Sequence, residues 1–471
     1  IIMIKVRQLY IQNVGPFAGE TFDFSVEEGH PDIHIFTGPN GCGKTTILHS
    51  LASEFDYFEN DHKEHRSNLF YKRFHYADEE GKYGMAKSYA HSIIFGKEVP
   101  KVMEKVLCYL CKRCGNLHKS YEKSIANNLK IAYKENDYRW PPHSKDLLNY
   151  KNAIIEKDIS HQTFKFAAFG YSGYRLIESA NISKVNGNEN FNPLHLALEF
   201  VKKHDEDNRH ITDWIVSRYS KAAIEETHGN KELADKYRAA LNCLMDSISD
   251  LTNGEFIFKI KTNPWKIVLT YHDKEIEFDA LPDGLRSVLS WMGDLLMRLD
   301  AIPWEDSSIP VNHQNIILFL DEIEVHLHPK WQYQILPLTQ KIFPNAQIFL
   351  TTHSPFIINS IDNAKIHKLT IEDGISKLDK TLFSETGESY NYVYEHILET
   401  TNKFGKDTEK KIAEFNKIDA EIVRGDFENE ERFKTLVGEL VEEGEEVITM
   451  IGSKLYRLKR VIGKDYLNGK N

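Results

Sequence analysis

The run Gly38-Pro39-Asn40-Gly41-Cys42-Gly43-Lys44-Thr45 constrains this chain more than any other eight residues in it. It fits G-x-x-x-x-G-K-[ST] at every position, and its flanks are those the pattern needs. Before it, Ile33 and Ile35 mark a short apolar strand; after it, Ile47, Leu48 and Leu51 fall at helical spacing. Strand, glycine-rich loop and helix in that order make a phosphate cradle. The glycines let backbone N–H groups close on phosphate oxygens, and the helix N-terminus adds its positive dipole. Lys44 is expected to reach the β- and γ-phosphates of ATP and the Thr45 hydroxyl to ligate Mg2+, with Thr46 beside them in the binding set. Cys42 reads as a small loop residue, not a nucleophile.

Two further segments supply what a phosphate cradle lacks. In NIILFLDEIEVHLHP, the unbroken apolar run Ile316–Leu320 predicts a central parallel strand, with Asp321 and Glu322 emerging at its C-terminal end. Asp321 is placed to hold Mg2+ and Glu322 to act as general base on an attacking water. In AQIFLTTHSPFIINS, a second buried strand ends at Thr351-Thr352-His353-Ser354, where His353 is expected to contact the γ-phosphate or that water. His326 and His328, at i and i+2 between these strands, raise a metal reading. No Glu or Cys at zinc spacing accompanies them, so EVHLHPKWQ reads as a loop at a subunit contact, with Pro329 starting a helix.

The segment LPDGLRSVLSWMGDLLMRL puts Leu285, Val288, Leu289, Met292, Leu295, Leu296 and Leu299 on one helical face. Asp283-Gly284 opens that helix, so its N-terminus is aimed at an anion.

GPNGCGKT, LPDGLRS, IILFLDE, HLHP and TTHSP, in that order, resemble an ABC-type ATPase of the SMC/RecF/OLD group, and VRQLYIQNVGPFAGETFDF resembles that group's opening strands. The resemblance implies an α/β fold: an ABC-type P-loop ATPase head, its mixed sheet flanked by helices, with a mainly helical insertion and a C-terminal helical segment. It also implies that heads pair head-to-tail, each ATP lying between one head's phosphate loop and the other's signature segment. Asp283, Gly284 and Arg286 then face the partner's γ-phosphate. Pro282 stands where the group has serine, which removes a hydroxyl and an N–H donor and predicts slow or sensing behaviour.

The expected head covers 1–55 and 161–375, with a helical subdomain over 192–250; TFKFAAFGYSGYRL returns the chain to the head's sheet and ends in a glycine turn with Arg175. An insertion, mostly helical, fills 56–160. Its Lys97–Lys134 stretch is basic with Tyr109, Tyr121 and Tyr133 interleaved. That pattern fits nucleic acid or a solvated helical face. Cys108, Cys111, Cys114 and His118 fit either a metal site or helix packing. No sustained heptad pattern supports long coiled-coil arms.

After residue 376 the chain reads as a helical docking region. Phe433, Leu436, Leu440, Ile448, Ile451, Leu455, Leu458 and Ile462 follow 3-4 spacing there. No D-x-D occurs beyond residue 360, so no nuclease site of the Toprim kind is expected. Head, insertion and short helical tail together are similar to the PtuA-type ATPases of Septu and retron-associated anti-phage systems. That resemblance implies a separate small HNH nuclease subunit, a homodimer of heads assembling into a higher oligomer, and nucleic acid as the target of the complex.

The net charge of −11 argues against a uniformly basic nucleic-acid binder. A stand-alone RecF-like ATPase at DNA ends remains the alternative, and a transporter subunit is the weakest fit. Five cysteines, an odd number, and no signal-like N-terminus predict reduced thiols in the cytoplasm; no apolar run is long enough to cross a membrane.

Overall fold

The computed structural model describes residues 5–12, 15–53, 55, 90–95, 106–109, 143–173, 191–198, 200, 205–262, 265–271, 274–398 and 403–466. It divides into two compact units, 1–393 and 394–471. In the first unit an antiparallel arm comes first. Strand β1 (Val6–Gln12) pairs with β2 (Glu20–Asp23). Then β3 (Ile33–Thr37) leads through the glycine loop into helix α1 (Lys44–Ser53). Within 56–160 the described helices and strands are β4 (Ala90–Phe95), β5 (Val106–Tyr109) and helix α2 (His143–Ala153). β4 pairs with β1, and β5 with β4, giving a four-stranded sheet in the order β2-β1-β4-β5. The mostly helical expectation for this stretch did not foresee those strands. Strands of six and four residues carry too little periodicity to declare themselves; β4 pairs with the distant β1, and β5 with β4. Arg175, Cys111, Cys114 and His118, and most of the Lys97–Lys134 stretch, lie outside the described residues, and Cys108 is described only as part of β5.

Strand β6 (Ala167–Tyr171) follows. Helices α3 (Asp205–Thr227) and α4 (Lys231–Thr252) form a hairpin turned at Gly229, whose φ of 78° suits glycine. A meander of β7 (Phe256–Thr262), β8 (Trp265–Tyr271) and β9 (Lys274–Ile276) leads to helix α5 (Asp283–Ala301). The remaining parts are β10 (Ile316–Leu320), α6 (Pro329–Ile342), β11 (Gln347–Thr351), the single turn α7 (Pro355–Ile358), β12 (Lys365–Glu372) and β13 (Ile375–Phe383). β13 lies past the expected head boundary at 375; it pairs antiparallel with β12 and closes the sheet. Few of its residues are buried, so it shows no alternation to read.

The main sheet runs β13-β12-β3-β11-β10-β6. All its pairings but β12–β13 are parallel. β3, β6, β10 and β11 are buried along their whole length, as strands covered on both faces must be. The order matters for the site: β11 lies between the phosphate-loop strand and the acid strand, so the ends of all three meet at one edge. This is the ABC-type P-loop head expected from the motifs.

Aromatic side chains join the arm to this sheet. Phe24 meets Phe349 at 4.9 Å and Phe22 meets Phe36 at 6.0 Å, both edge to face. At the other edge, β6 is the last of the described strands, and the Tyr150 hydroxyl of α2 lies along its outer side. That hydroxyl donates to the Ala168 carbonyl at 3.1 Å and accepts from the Ala168 N–H at 3.0 Å. One side chain thus satisfies two backbone groups on an edge strand.

The second unit packs α8 (Lys406–Val423), α9 (Glu430–Val441) and α10 (Glu445–Ile462) around Phe415, Phe433, Leu436, Leu440, Ile451, Leu455 and Leu458. Phe415 and Phe433 stack at 5.0 Å. Val447, rather than Ile448, fills the first core position of α10. Glu445 and Glu446 sit in the first turn of α10, and Lys459 and Arg460 in its last, each complementing the helix dipole. Among the described residues, no helix is long and apolar enough to cross a membrane.

Candidate functional site

The phosphate loop takes its shape from three glycines. Gly38, Gly41 and Gly43 have φ of 147°, 83° and 88°, values that side chains resist. Two are also crowded. A Cβ on Gly38 would lie 2.5 Å from the Leu369 carbonyl of β12, and one on Gly43 would lie 2.5 Å from the Phe17 ring. The N-terminal arm therefore backs the loop. Pro39, Asn40 and Gly41 are exposed at its crest, and Thr46 is buried beneath it. The Lys44 ammonium donates to the Gly38 and Pro39 carbonyls at 3.0 and 3.1 Å, which holds it over the concavity. No acid stands in the first turn of α1, so the helix N-terminus stays attractive to anions. Cys42 is fully buried and burial pushes its thiol up, which rules out a thiolate nucleophile at neutral pH.

Thr45 and Asp321 meet across the sheet edge. The Thr45 hydroxyl lies 3.1 and 3.0 Å from the two Asp321 carboxylate oxygens. Hydroxyl and carboxylate oxygens side by side, next to a phosphate loop, are the hard donor set Mg2+ takes. The residues fit the ion that the motifs imply. Asp321 is itself held in place: its N–H donates to the Tyr171 carbonyl of β6 at 2.8 Å, and the Thr351 hydroxyl donates to its Oδ1 at 2.6 Å.

Glu322 comes next in the chain and in the site. Its φ is 48°, rare for a residue with a side chain, and its N–H donates to the Thr351 hydroxyl at 2.8 Å. Thr351 thus orders both acids. The left-handed turn at Glu322 is strain of the kind that surrounding structure must hold in place. Its side chain lies against Gly173, where a Cβ would stand 3.1 Å from Glu322 Cβ and 3.2 Å from Oε2. The glycine turn after β6 therefore leaves space for the acid.

His353 stands exposed at the end of β11. Loss of solvation, then the Lys44 charge, push its imidazole below the ordinary histidine value, so the ring is neutral at pH 7. That electrostatic influence places His353 in the field of the phosphate-loop lysine. Its N–H donates to Glu324 Oε1 at 2.6 Å, a partner that sequence reasoning missed.

At the signature helix, Pro282 is the N-cap and makes no side-chain cap bond. Asp283 is the first helical residue, not the cap, and its carboxylate faces Arg286 at 3.4 Å. Gly284 is forced: a Cβ there would lie 2.8 Å from the His326 carbonyl and 3.0 Å from the Trp331 ring. His328 caps α6 by accepting the Lys330 N–H at 3.2 Å, with Pro329 at the first helical position. Deeper in α5, Asp294 accepts from Arg298 and from the Tyr171 hydroxyl, both at 2.8 Å. Tyr171 therefore joins the signature helix through its side chain and Asp321 through its backbone.

The protein-family model of the AAA ATPase domain matches residues 4–358, more than half of the chain. The chain belongs to the AAA ATPase domain family. Within it, the PtuA-type, ABC-like reading of the motif order holds. The chain is 22% identical to Septu protein PtuA of Bacillus thuringiensis over 397 residues, 84% of each chain. It is 23% identical to the retron Ec83 probable ATPase of Escherichia coli over 398 residues, 77% of this chain and 71% of that one. Among solved structures it is similar to the SMC head domain from Thermotoga maritima, at 12% identity and a TM-score of 0.38, over 81% of this chain and 99% of that one. Strand order and loop geometry, independently of that last likeness, mark this AAA ATPase domain as an ABC-type head.

Proposed function

We propose that this chain is the ATP-binding subunit of an anti-phage complex that scaffolds and restrains a separate small HNH nuclease, and that ATP is its controlling ligand. One observation carries the nucleotide part: Thr45 and Asp321 converge to 3.0 Å beside the phosphate loop. The likeness to Septu PtuA and to a retron ATPase supports the defence setting.

In this reading the loop N–H groups from Gly38 to Thr46 and the Lys44 ammonium bind the phosphates of ATP. Thr45 and Asp321 hold Mg2+, which neutralises charge on the phosphate oxygens when bound. Glu322 orients a water and takes its proton as the oxygen attacks the γ-phosphorus; ADP leaves, and the products are ADP and phosphate. Neutral His353 steadies the γ-phosphate or that water. The phosphates of one protomer meet Gly284 and Arg286 of a second, head to tail, so bound ATP fixes the dimer. Such dimers build the higher oligomer, the helices of the second unit dock the nuclease, and loss of ATP releases it onto nucleic acid.

The experiment has two arms. The full chain is co-expressed with a small HNH protein encoded beside its gene, and the two are expected to purify together. Glu322→Gln with ATP and Mg2+ is expected to sediment as a larger species than without nucleotide. Absence of a nuclease partner overturns the scaffold reading, and an unchanged sedimentation coefficient overturns the ATP-fixed dimer.

A further inference from the structure

Glu322 is not the only acid on its loop. Two residues on, Glu324 reaches to the end of the neighbouring strand, and its Oε1 accepts the His353 N–H at 2.6 Å across 29 positions of sequence. The second oxygen, Oε2, is buried and has no hydrogen-bond partner among the described residues. A buried carboxylate with one bare oxygen is costly unless it is neutralised. Burial pushes the Glu324 carboxyl up, and the Glu322 carboxylate nearby adds to the effect.

The flanks of His353 are tied down separately. The Ser354 hydroxyl donates to Gln332 Oε1 of α6 at 2.6 Å and accepts from the first N–H groups of α7. The Ser354 N–H donates to the Thr352 hydroxyl at 2.9 Å. His353's own N–H is held by Glu324.

We infer that Glu324 is a positioning residue: by holding the backbone of His353 it links the loop that carries Glu322 to the strand end that carries the histidine, so that the two face bound ATP as one unit. This inference rests on the proposed roles of Glu322 and His353. A misplacement of about 1 Å in such a pair costs up to roughly a hundredfold in rate.

The test uses the full chain with Glu324→Gln, Glu324→Ala, Glu324→Asp, Glu322→Gln, His353→Ala and the double variant Glu324→Ala/His353→Ala. Two quantities are read: steady-state phosphate release from Mg·ATP, giving kcat and KM, and amide hydrogen exchange of the peptide containing His353. Glutamine keeps a carbonyl oxygen that can accept the His353 N–H. Glu324→Gln is therefore expected to retain kcat and slow exchange. Glu324→Ala is expected to lower kcat by about tenfold or more at nearly constant KM and to speed exchange at His353. The double variant is expected to be no slower than His353→Ala, because both changes remove one unit. Glu324→Asp, one methylene shorter, is expected to fall with the alanine variant and covers the case in which alanine does not fold.

If Glu324→Gln is as inactive as Glu322→Gln, Glu324 is itself a base and the inference is wrong. Wild-type kcat in both the alanine and aspartate variants, or full additivity in the double variant, also overturns it. A wild-type chain that releases no phosphate above Lys44→Ala defeats the ATPase reading instead. Exchange at His353 then still decides the Glu324 contact, since it needs no turnover.

Discussion

Thr45 and Asp321, separated by 276 positions in the chain, touch through hydroxyl and carboxylate at 3.0 and 3.1 Å. Nothing local brings them together. The parallel sheet does, by placing β3 and β10 on either side of β11 so that the loops after all three open at one edge. The contact makes the phosphate loop and the acid pair one site.

Thr351 is the post of that site, since its hydroxyl serves Asp321 and Glu322 at once. Replacing it by valine keeps the shape and removes both bonds. Thr351→Val is expected to weaken Mg2+-dependent ATP binding or turnover by roughly 10- to 100-fold, as loss of a ligand-orienting partner does. Titrating Mg2+ into phosphate-release assays checks it; an unchanged Mg2+ dependence and rate would remove Thr351 from the account.

Glu322→Gln leaves the Thr45–Asp321 contact and the loop untouched. It is expected to retain ATP affinity while turnover drops by about 10²- to 10⁴-fold, the usual contribution of a general base. Calorimetry with ATP and a phosphate-release assay separate the two quantities. Full turnover in this variant would mean that another group activates the water.

Pro282 caps α5 without a side-chain bond. Serine in its place supplies a cap and a free N–H, so Pro282→Ser is expected to stabilise the helix by about 0.5–2 kcal/mol. It is also expected to speed hydrolysis, by restoring donors toward the partner's γ-phosphate. Turnover compared at equal dimer occupancy is the readout; a slower variant would show that proline is not what limits the rate.

His34 and His367 lie fully buried at the starting ends of β3 and β12, with Asp32 3.1 Å from the His34 ring. Burial pushes both imidazoles down; the Asp32 carboxylate opposes this at His34, while the His34 and Lys365 charges reinforce it at His367. The folded chain therefore favours neutral rings. Each contributes stability that is fully present above the ordinary histidine value of 6.5 and is lost as pH falls from there toward the depressed folded value. The Tm of the chain is expected to drop between pH 7 and pH 5. His367 stacks on Phe36 at 5.0 Å, so His367→Phe keeps the packing and is expected to shrink that drop. An identical Tm profile in wild type and variant would contradict it.

The parts of the site that the sequence announces are those whose chemistry requires fixed residue types at short spacing. Gly38 to Thr46, Asp321-Glu322 and His353 each sit on a few contiguous residues, next to a strand buried along its whole length. Thr351, Gly173, Tyr171 and Glu324 were not legible because their roles exist only in contacts across the sheet. Thr351 looks like any strand end until its hydroxyl is seen between two acids. Glu324 looks like a loop charge until it is found against the His353 N–H. The same holds for the fold: the continuous apolar run of β10 and the apolar residues of β3 and β11 declared those strands, whereas β4, β5 and β13 are short or exposed and depend on their neighbours for pairing. At α5 the apolar face was plain, but the cap was not: Asp283 occupies the first helical position and pairs with Arg286.

In the proposed function Lys44, Thr45 and Asp321 build one Mg·ATP site. Isothermal titration of ATP into the chain, with and without Mg2+, tests it most directly when run beside Lys44→Ala and Asp321→Ala. Wild type is expected to bind ATP saturably, Lys44→Ala not at all, and Asp321→Ala in a way that no longer responds to Mg2+. Equal ATP binding by all three chains, or none by the wild type, would contradict it.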